Sequence, residues 1–492
     1  MNSNTNKMST EGDRFIDKTG LRTGVPINRT LVVTFIISVV AFFLIRSADL
    51  RTYGETTSTA LAFLVSILIF MIFSGTEVIK SAFLIVLLGM VTGLWDFGTV
   101  SATFGGSPFL PTIGMMIVAM GCEFTPFGKR LAYWFLYKLG DNPVRMTCVV
   151  AITTGLISSF VSNVATLILM SSIAAALLGA MGEKPGESKI GRAMMVMIPT
   201  FSMIGGMSLI SGAPTGNLMG IEYIRNASGI DAGVSYLNWA IVGFPAVLCI
   251  YPVACLIYVM YFKLKNRDIN ILPKDYYKQQ LDEIGPIGGS EIRWIIIVLG
   301  MIITMVAGVS MPISALLFAT IAMLPAIGCV PAKQVFGKLP FAVTLAMALM
   351  PLMGKLFAGT GLGELVSDLL RPMVGSMSPW KLCFFSVLVM GILINVFVNA
   401  SAAAETLILG IITPVAVGLG YNPVLIMLPS AMIASCFFCF GVNSTIMMNQ
   451  GYGYWDAKDF TVPGFLTIFV ISLFLSIFAT VIAPLLGVPL YL

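Results

Sequence analysis

The segment Ser158-Ser159-Phe160-Val161-Ser162-Asn163-Val164-Ala165-Thr166 decides how this chain folds. It places small polar residues in the middle of an apolar run, 147–180. That run is too long for one membrane crossing, since a spanning helix needs about 20 residues. Backbone without helical pairing survives in lipid only where it lines a cavity or is buried in protein. The run therefore reads as a helical hairpin that enters and leaves on the same side. A second long run, 382–417, is broken around Val398-Asn399-Ala400-Ser401 and reads the same way.

Composition supports a lipid solvent. Of 492 residues, 57% are hydrophobic and 10% charged, and the mean hydropathy is +0.94. A soluble protein carries roughly 25% charged residues. The expected class is an all-α polytopic membrane protein with about 11 transmembrane helices plus two re-entrant helical hairpins. The first thirty residues are polar and lack an A-x-A site, so we expect a cytoplasmic tail over 1–30 and no cleavable signal. The eight cysteines are scattered through apolar segments, and Cys436–Cys439 reads as structural filler. There is no histidine, which removes the usual metal ligand and the usual neutral-pH proton relay. No transition metal is expected.

Charge fixes the orientation. With the N-terminus in the cytoplasm and both long runs as hairpins, 22 Lys and Arg fall inside, five outside, and Lys355 within a span. This is the positive-inside bias. An inner-membrane protein with a cytoplasmic N-terminus is the expectation. The net charge of +5 follows from the cytoplasmic loops and needs no nucleic-acid partner.

The halves echo each other. Thr125-Pro-Phe-Gly, Ser162-Asn-Val-Ala-Thr and Gly212-Ala-Pro-Thr-Gly-Asn217 correspond in order to Thr360-Gly-Leu-Gly, Val398-Asn-Ala-Ser and Gly441-Val-Asn-Ser-Thr445. Thr125 to Asn163 is 38 residues, and Thr360 to Asn399 is 39. An odd number of crossings between the units predicts two inverted repeats, a mark of secondary transporters with a site near the midplane. The organisation expected is a first membrane half over 31–265, a cytoplasmic linker over 266–293 and a second half over 294–492.

The breaks suggest chemistry. Half-helix N-termini offer N–H groups to an anion. Freed carbonyls and helix C-termini can coordinate sodium. For a small organic anion the candidates are Ser162, Asn163, Val164, Thr215, Asn399, Ala400, Ser401, Ser444, Thr445 and Lys355. For a cation they are Ser158, Ser162, Asn163, Gly212, Asn217, Asn399 and Gly441. The plainer reading of small polar residues is close helix packing.

At these residues the chain resembles the divalent-anion/sodium symporter family, the dicarboxylate and citrate carriers. That family pairs Ser-Asn-Thr motifs at hairpin tips, each followed by an unwound helix with a Thr-Pro-Pro-Asn type loop. Ser162-Asn163-Val164-Ala165-Thr166 is a near match and Gly212-Ala-Pro-Thr-Gly-Asn217 a looser one. The flanking Val234-Ser-Tyr-Leu-Asn-Trp239 and Gly451-Tyr-Gly-Tyr454 also fit, and the likeness covers about 60–490. The resemblance implies a homodimer, scaffold and transport domains, elevator-type alternating access, a di- or tricarboxylate-like substrate, and sodium as coupling ion with no organic cofactor. The second half departs from the pattern, with Val398 and Ala400 in place of Ser and Thr, and Ser444, Thr445 and Ile446 in place of Pro-Pro-Asn.

Ionisable groups inside a span are functional candidates. In one reading Lys355 reaches the altered second motif, stands in for sodium and pairs with a substrate carboxylate, giving an anion exchanger. In the other it pairs with Glu405 or snorkels to the interface. Competing functions are the large membrane subunit of a carrier that works with a substrate-binding protein, and an anion channel. An enzyme is not expected: no HExxH-type motif or histidine is present.

Overall fold

Side-chain caps set where several helices begin. Asn142 accepts from the Arg145 amide (2.8 Å) ahead of Pro143, opening the helix Pro143–Ser158. Ser162 accepts from the Ala165 amide (3.4 Å) and starts Asn163–Ala180. Ser188 and Ser235 cap Lys189–Gly206 and Tyr236–Tyr261 in the same way. The computed structural model describes residues 29–74, 78–105, 109–229, 234–264, 272–397, 401–441 and 444–492. It is all-helical, with no strand among the described residues.

Seven helical stretches among the described residues are long and apolar enough to cross a membrane, and seven shorter apolar helices accompany them. Their outward faces are apolar too: Phe43, Leu44, Val91 and Ile303 are exposed. That is the surface a hydrocarbon solvent accommodates.

The two long runs are hairpins. In the first, Pro143–Ser158 and Asn163–Ala180 pack on each other across a four-residue turn at 159–162. In the second, Pro379–Val396 packs against Ser401–Gly418, and its tip, 398–400, lies outside the described residues. Both arms of the first hairpin pack on Lys189–Gly206, and both arms of the second on Pro423–Ile433. At the first contact the Gly205 α-carbon meets the Gly155 carbonyl, so any larger residue would overlap it. The helices Tyr236–Tyr261 and Lys458–Ile477 run against each other beside these hairpins.

Elsewhere, Phe109–Met120 packs on Met311–Met323, which also packs on Gly289–Val306. Trp294 Nε1 donates to the Val118 carbonyl (2.9 Å). Arg130 forms a bidentate pair with Glu291 (2.9 Å for each contact) and donates to the Gly285 and Pro286 carbonyls. The stretch expected as a linker is partly folded: Lys274–Ile284 is a helix lying on Phe127–Leu139. Residues 265–271 lie outside the described residues.

The run 339–358 is not one uniform helix. Phe341–Leu349 gives way to a tighter turn at Met350–Gly354 and then to the short helix Lys355–Gly359. Pro351, which cannot donate to a preceding carbonyl, sits at the change.

Candidate functional site

Two helices break where the sequence places polar clusters. Lys189–Gly206 ends, seven residues run without helical form, and Pro214–Ser228 begins. Pro423–Ile433 ends before a second non-helical stretch, and Ser444–Met447 follows.

The first hairpin tip is pinned to the first break. Ser158 Oγ donates to Asn163 Oδ1 (2.7 Å), and Ser202 Oγ donates to the Asn163 carbonyl (2.9 Å). The Asn163 side chain lies against the α-carbon of Gly206, leaving no room for a β-carbon there. A β-carbon on Gly212 would stand 2.8 Å from both the Ser158 and the Gly206 carbonyl oxygens. These are the last carbonyls of two helices, the negative ends of their dipoles. The Ser158 carbonyl and the Gly206 carbonyl, which also accepts from Asn217, thus converge at Gly212, with the Asn163 side chain against Gly206. That is the donor chemistry of an alkali-ion site.

The positive ends lie close by. Asn163 and Pro214 each begin a helix, and the first amides of such helices lack intrahelical partners. Ser162 and Asn163 are half-buried at one start and Thr215 at the other, while Val164 is exposed at the tip. Thr166 Oγ1 is buried and has no hydrogen-bond partner among the described residues.

Asn217 shapes the first break. Its Nδ2 donates to the carbonyls of Gly206 (3.0 Å), Leu209 (3.0 Å) and Ile210 (3.4 Å). Trp239 Nε1 donates to the Met207 carbonyl (3.0 Å), and Ser211 bonds the Tyr236 hydroxyl (3.0 Å). Asn217 is therefore a scaffold for carbonyls, and its own amide nitrogen is committed to them.

In the second half the described geometry is carried by a residue outside the motif. Asn395 is buried in the incoming arm. Its Nδ2 donates to the Gly391 (2.8 Å) and Cys436 (2.9 Å) carbonyls, and its Oδ1 accepts from the Cys439 amide (2.7 Å). Gly441 turns left-handed (φ 64°), with its α-carbon facing Phe460, Ala457 and Trp455. Thr445 is half-buried on the short helix after the break. Asn399 and Ala400 lie outside the described residues, as do the side chains of Ser401 and Ser444.

The two breaks meet. Ser435 Oγ donates to Asn217 Oδ1 (3.4 Å), and Cys436 Sγ approaches the Met203 carbonyl (3.8 Å). The helix Pro214–Ser228 then reaches the second hairpin through Tyr223, whose hydroxyl bonds Thr406 Oγ1 (2.6 Å).

The Lys355–Glu405 pair does not form. Lys355 is exposed at the start of its short helix, whereas Glu405 is buried. Sequence reasoning missed Ser202, Asn395 and Ser435. Asn395 could have been found, as a carboxamide inside an apolar run four residues before Asn399.

Comparison with known proteins gives the family and the fold. The citrate transporter family model matches residues 68–434. A protein of Staphylococcus saprophyticus named sodium-dependent dicarboxylate transporter SdcS is 26% identical over 376 residues, 70% of each chain. Its namesake in Staphylococcus aureus is 24% identical over 372 residues, again 70% of each. The crystal structure of the Alcanivorax borkumensis YdaH transporter shares the fold, with a TM-score of 0.52 at 16% identity, covering 80% of this chain and 89% of that one. A family model that spans most of the chain, apolar helices throughout and relatives named as transporters rather than enzymes lead to one conclusion: this multi-pass membrane transporter belongs to the citrate transporter family.

Proposed function

We propose that this chain is a sodium-coupled carrier of a small dicarboxylate in the bacterial inner membrane, working as an elevator. The observation that carries the reading is the convergence of the Ser158 and Gly206 carbonyls at Gly212 beside Asn163. Sodium seated there would neutralise part of the dianion held at the adjoining helix starts. Binding one ion then favours the other, a reciprocal coupling. The names of the relatives, sodium-dependent dicarboxylate transporters, support both the cargo class and the ion.

Elevator movement is supported by the way each hairpin rests on its broken helix, and by the meeting of the two breaks through Asn217 and Ser435. These pieces would travel together past the group around Phe109–Met120 and Met311–Met323. A homodimer would give that group a fixed partner. The bias of Lys and Arg supports a cytoplasmic N-terminus.

The test is uptake of labelled succinate, citrate and related anions into proteoliposomes, with and without an inward sodium gradient. Saturable, sodium-driven uptake of a dicarboxylate is expected, with Asn163→Ala losing it. Absence of saturable uptake for every anion tried would overturn the reading. Saturable exchange that ignores sodium would remove its sodium part.

A further inference from the structure

The second hairpin holds a carboxyl that the sodium site does not use. Glu405 lies on Ser401–Gly418, past the first turn, where the helix N-terminus no longer does much for a negative charge. It is 3% exposed, and its Oε2 has no hydrogen-bond partner among the described residues. Ala402, Ala403, Ala404 and Leu409 are buried on the same helix.

No cation meets it from the elements packed around it. Pro214–Ser228 brings Glu222, which pairs with Arg225 (2.9 Å), and Tyr223, whose hydroxyl is on Thr406. Leu362–Val374 brings Glu364, Asp368 and Arg371, all exposed. Pro379–Val396 brings exposed Lys381 and buried Cys383, and Lys355–Gly359 brings exposed Lys355. Thr57–Phe73, Met350–Gly354 and Pro423–Ile433 carry no acidic or basic residue.

An ionised carboxylate taken out of water without a counter-charge is strongly destabilising. Relief requires a bound cation or a proton. An alkali ion needs several oxygens, and the nearby Tyr223 and Thr406 oxygens are already bonded to each other. A proton needs one oxygen, and Oε2 is free. We propose that Glu405 carries a proton and that the second hairpin moves it together with the anion. The carboxylate gains H⁺ from one side of the membrane and releases it to the other, with no other bond made or broken. This rests on the carrier reading above. It adds a coupling ion in the half where Val398 and Ala400 replace the hydroxyl residues of the family pattern.

The experiment uses proteoliposomes of the full chain loaded with a pH-sensitive dye, with protein-free vesicles subtracting passive acid leak. Adding succinate should acidify the lumen in step with labelled uptake, and lowering the outside pH should speed uptake. Glu405→Gln, which keeps the shape and loses the titration, should take up succinate with the acidification and the pH response both lost. Wild-type uptake without acidification would overturn the proposal alone, as would acidification that persists in the variant. The wild-type proton measurement stands even if the variant does not fold. Wild-type vesicles that take up no anion under any gradient would overturn the carrier reading along with it.

Discussion

Ser435 Oγ donates to Asn217 Oδ1 across the junction of the two broken helices, joining residues 218 positions apart in the chain. Asn217 spends its other end on three carbonyls of the first break. One buried carboxamide thus sets the shape of one interrupted segment and registers it against the other. Substitutions there should separate shape from register. Asn217→Leu strands buried carbonyls, each worth about 1–3 kcal/mol, and should destabilise by at least about 3 kcal/mol. Ser435→Ala should lose about 1 kcal/mol. Thermal unfolding in detergent measures both, and equal effects would show that the bond between breaks dominates.

Gly212→Ala tests the proposed cation site directly. The added methyl would stand 2.8 Å from the Ser158 and Gly206 oxygens, closer than contact allows. Sodium activation of uptake should shift to at least about tenfold higher concentration, equivalent to about 1.4 kcal/mol. An unchanged sodium dependence, in protein that is normally folded, would place the cation elsewhere.

Asn163→Ala should separate transport from folding. The residue is half-buried and loses one side-chain bond, from Ser158, so stability should fall by only about 1 kcal/mol. Under the proposed function uptake should be abolished, because the carboxamide packs on Gly206 where the first broken helix ends. A variant with full uptake and reduced stability would make Asn163 a packing residue.

Arg130 and Glu291 form a pair away from the two helix breaks, with Glu291 1% and Arg130 16% exposed. Removing one partner of such a pair typically costs about 3–5 kcal/mol, because the other charge is left behind. Arg130→Met should therefore be strongly destabilising, and the double variant with Glu291→Leu should recover most of the loss. Additive single effects in a thermal-shift cycle would show that the two charges act independently.

Much of this architecture can be read from residue order. Breaks in apolar runs are legible because lipid leaves so few uses for small polar residues. Ser158, Asn163, Gly212 and Asn217 stand out in the sequence on that ground, and the structure brings them together around Gly206. Ser435 gives no such signal because its partner is far along the chain, Asn217 lying 218 residues away, and the bond from Asn395 to the Cys436 carbonyl 41 residues on is equally hidden although the carboxamide itself stands out. Local spacing carries no signal for such a bond. Lys355 shows the opposite limit. Its place in an apolar run marks it as unusual, but the direction of its side chain depends on the turn at Met350–Gly354, which a hydropathy count treats as helix.

The clamp that Asn395 places on Cys436 and Cys439 has an evolutionary corollary. It contacts the loop through main-chain atoms, so these bonds do not depend on which side chains the loop carries at Cys436 and Cys439. Under the proposed carrier reading, substitutions at positions 398 and 400 would leave those main-chain bonds of Asn395 in place. Paralogues with divergent tips and a retained carboxamide at 395 would be the trace of that freedom.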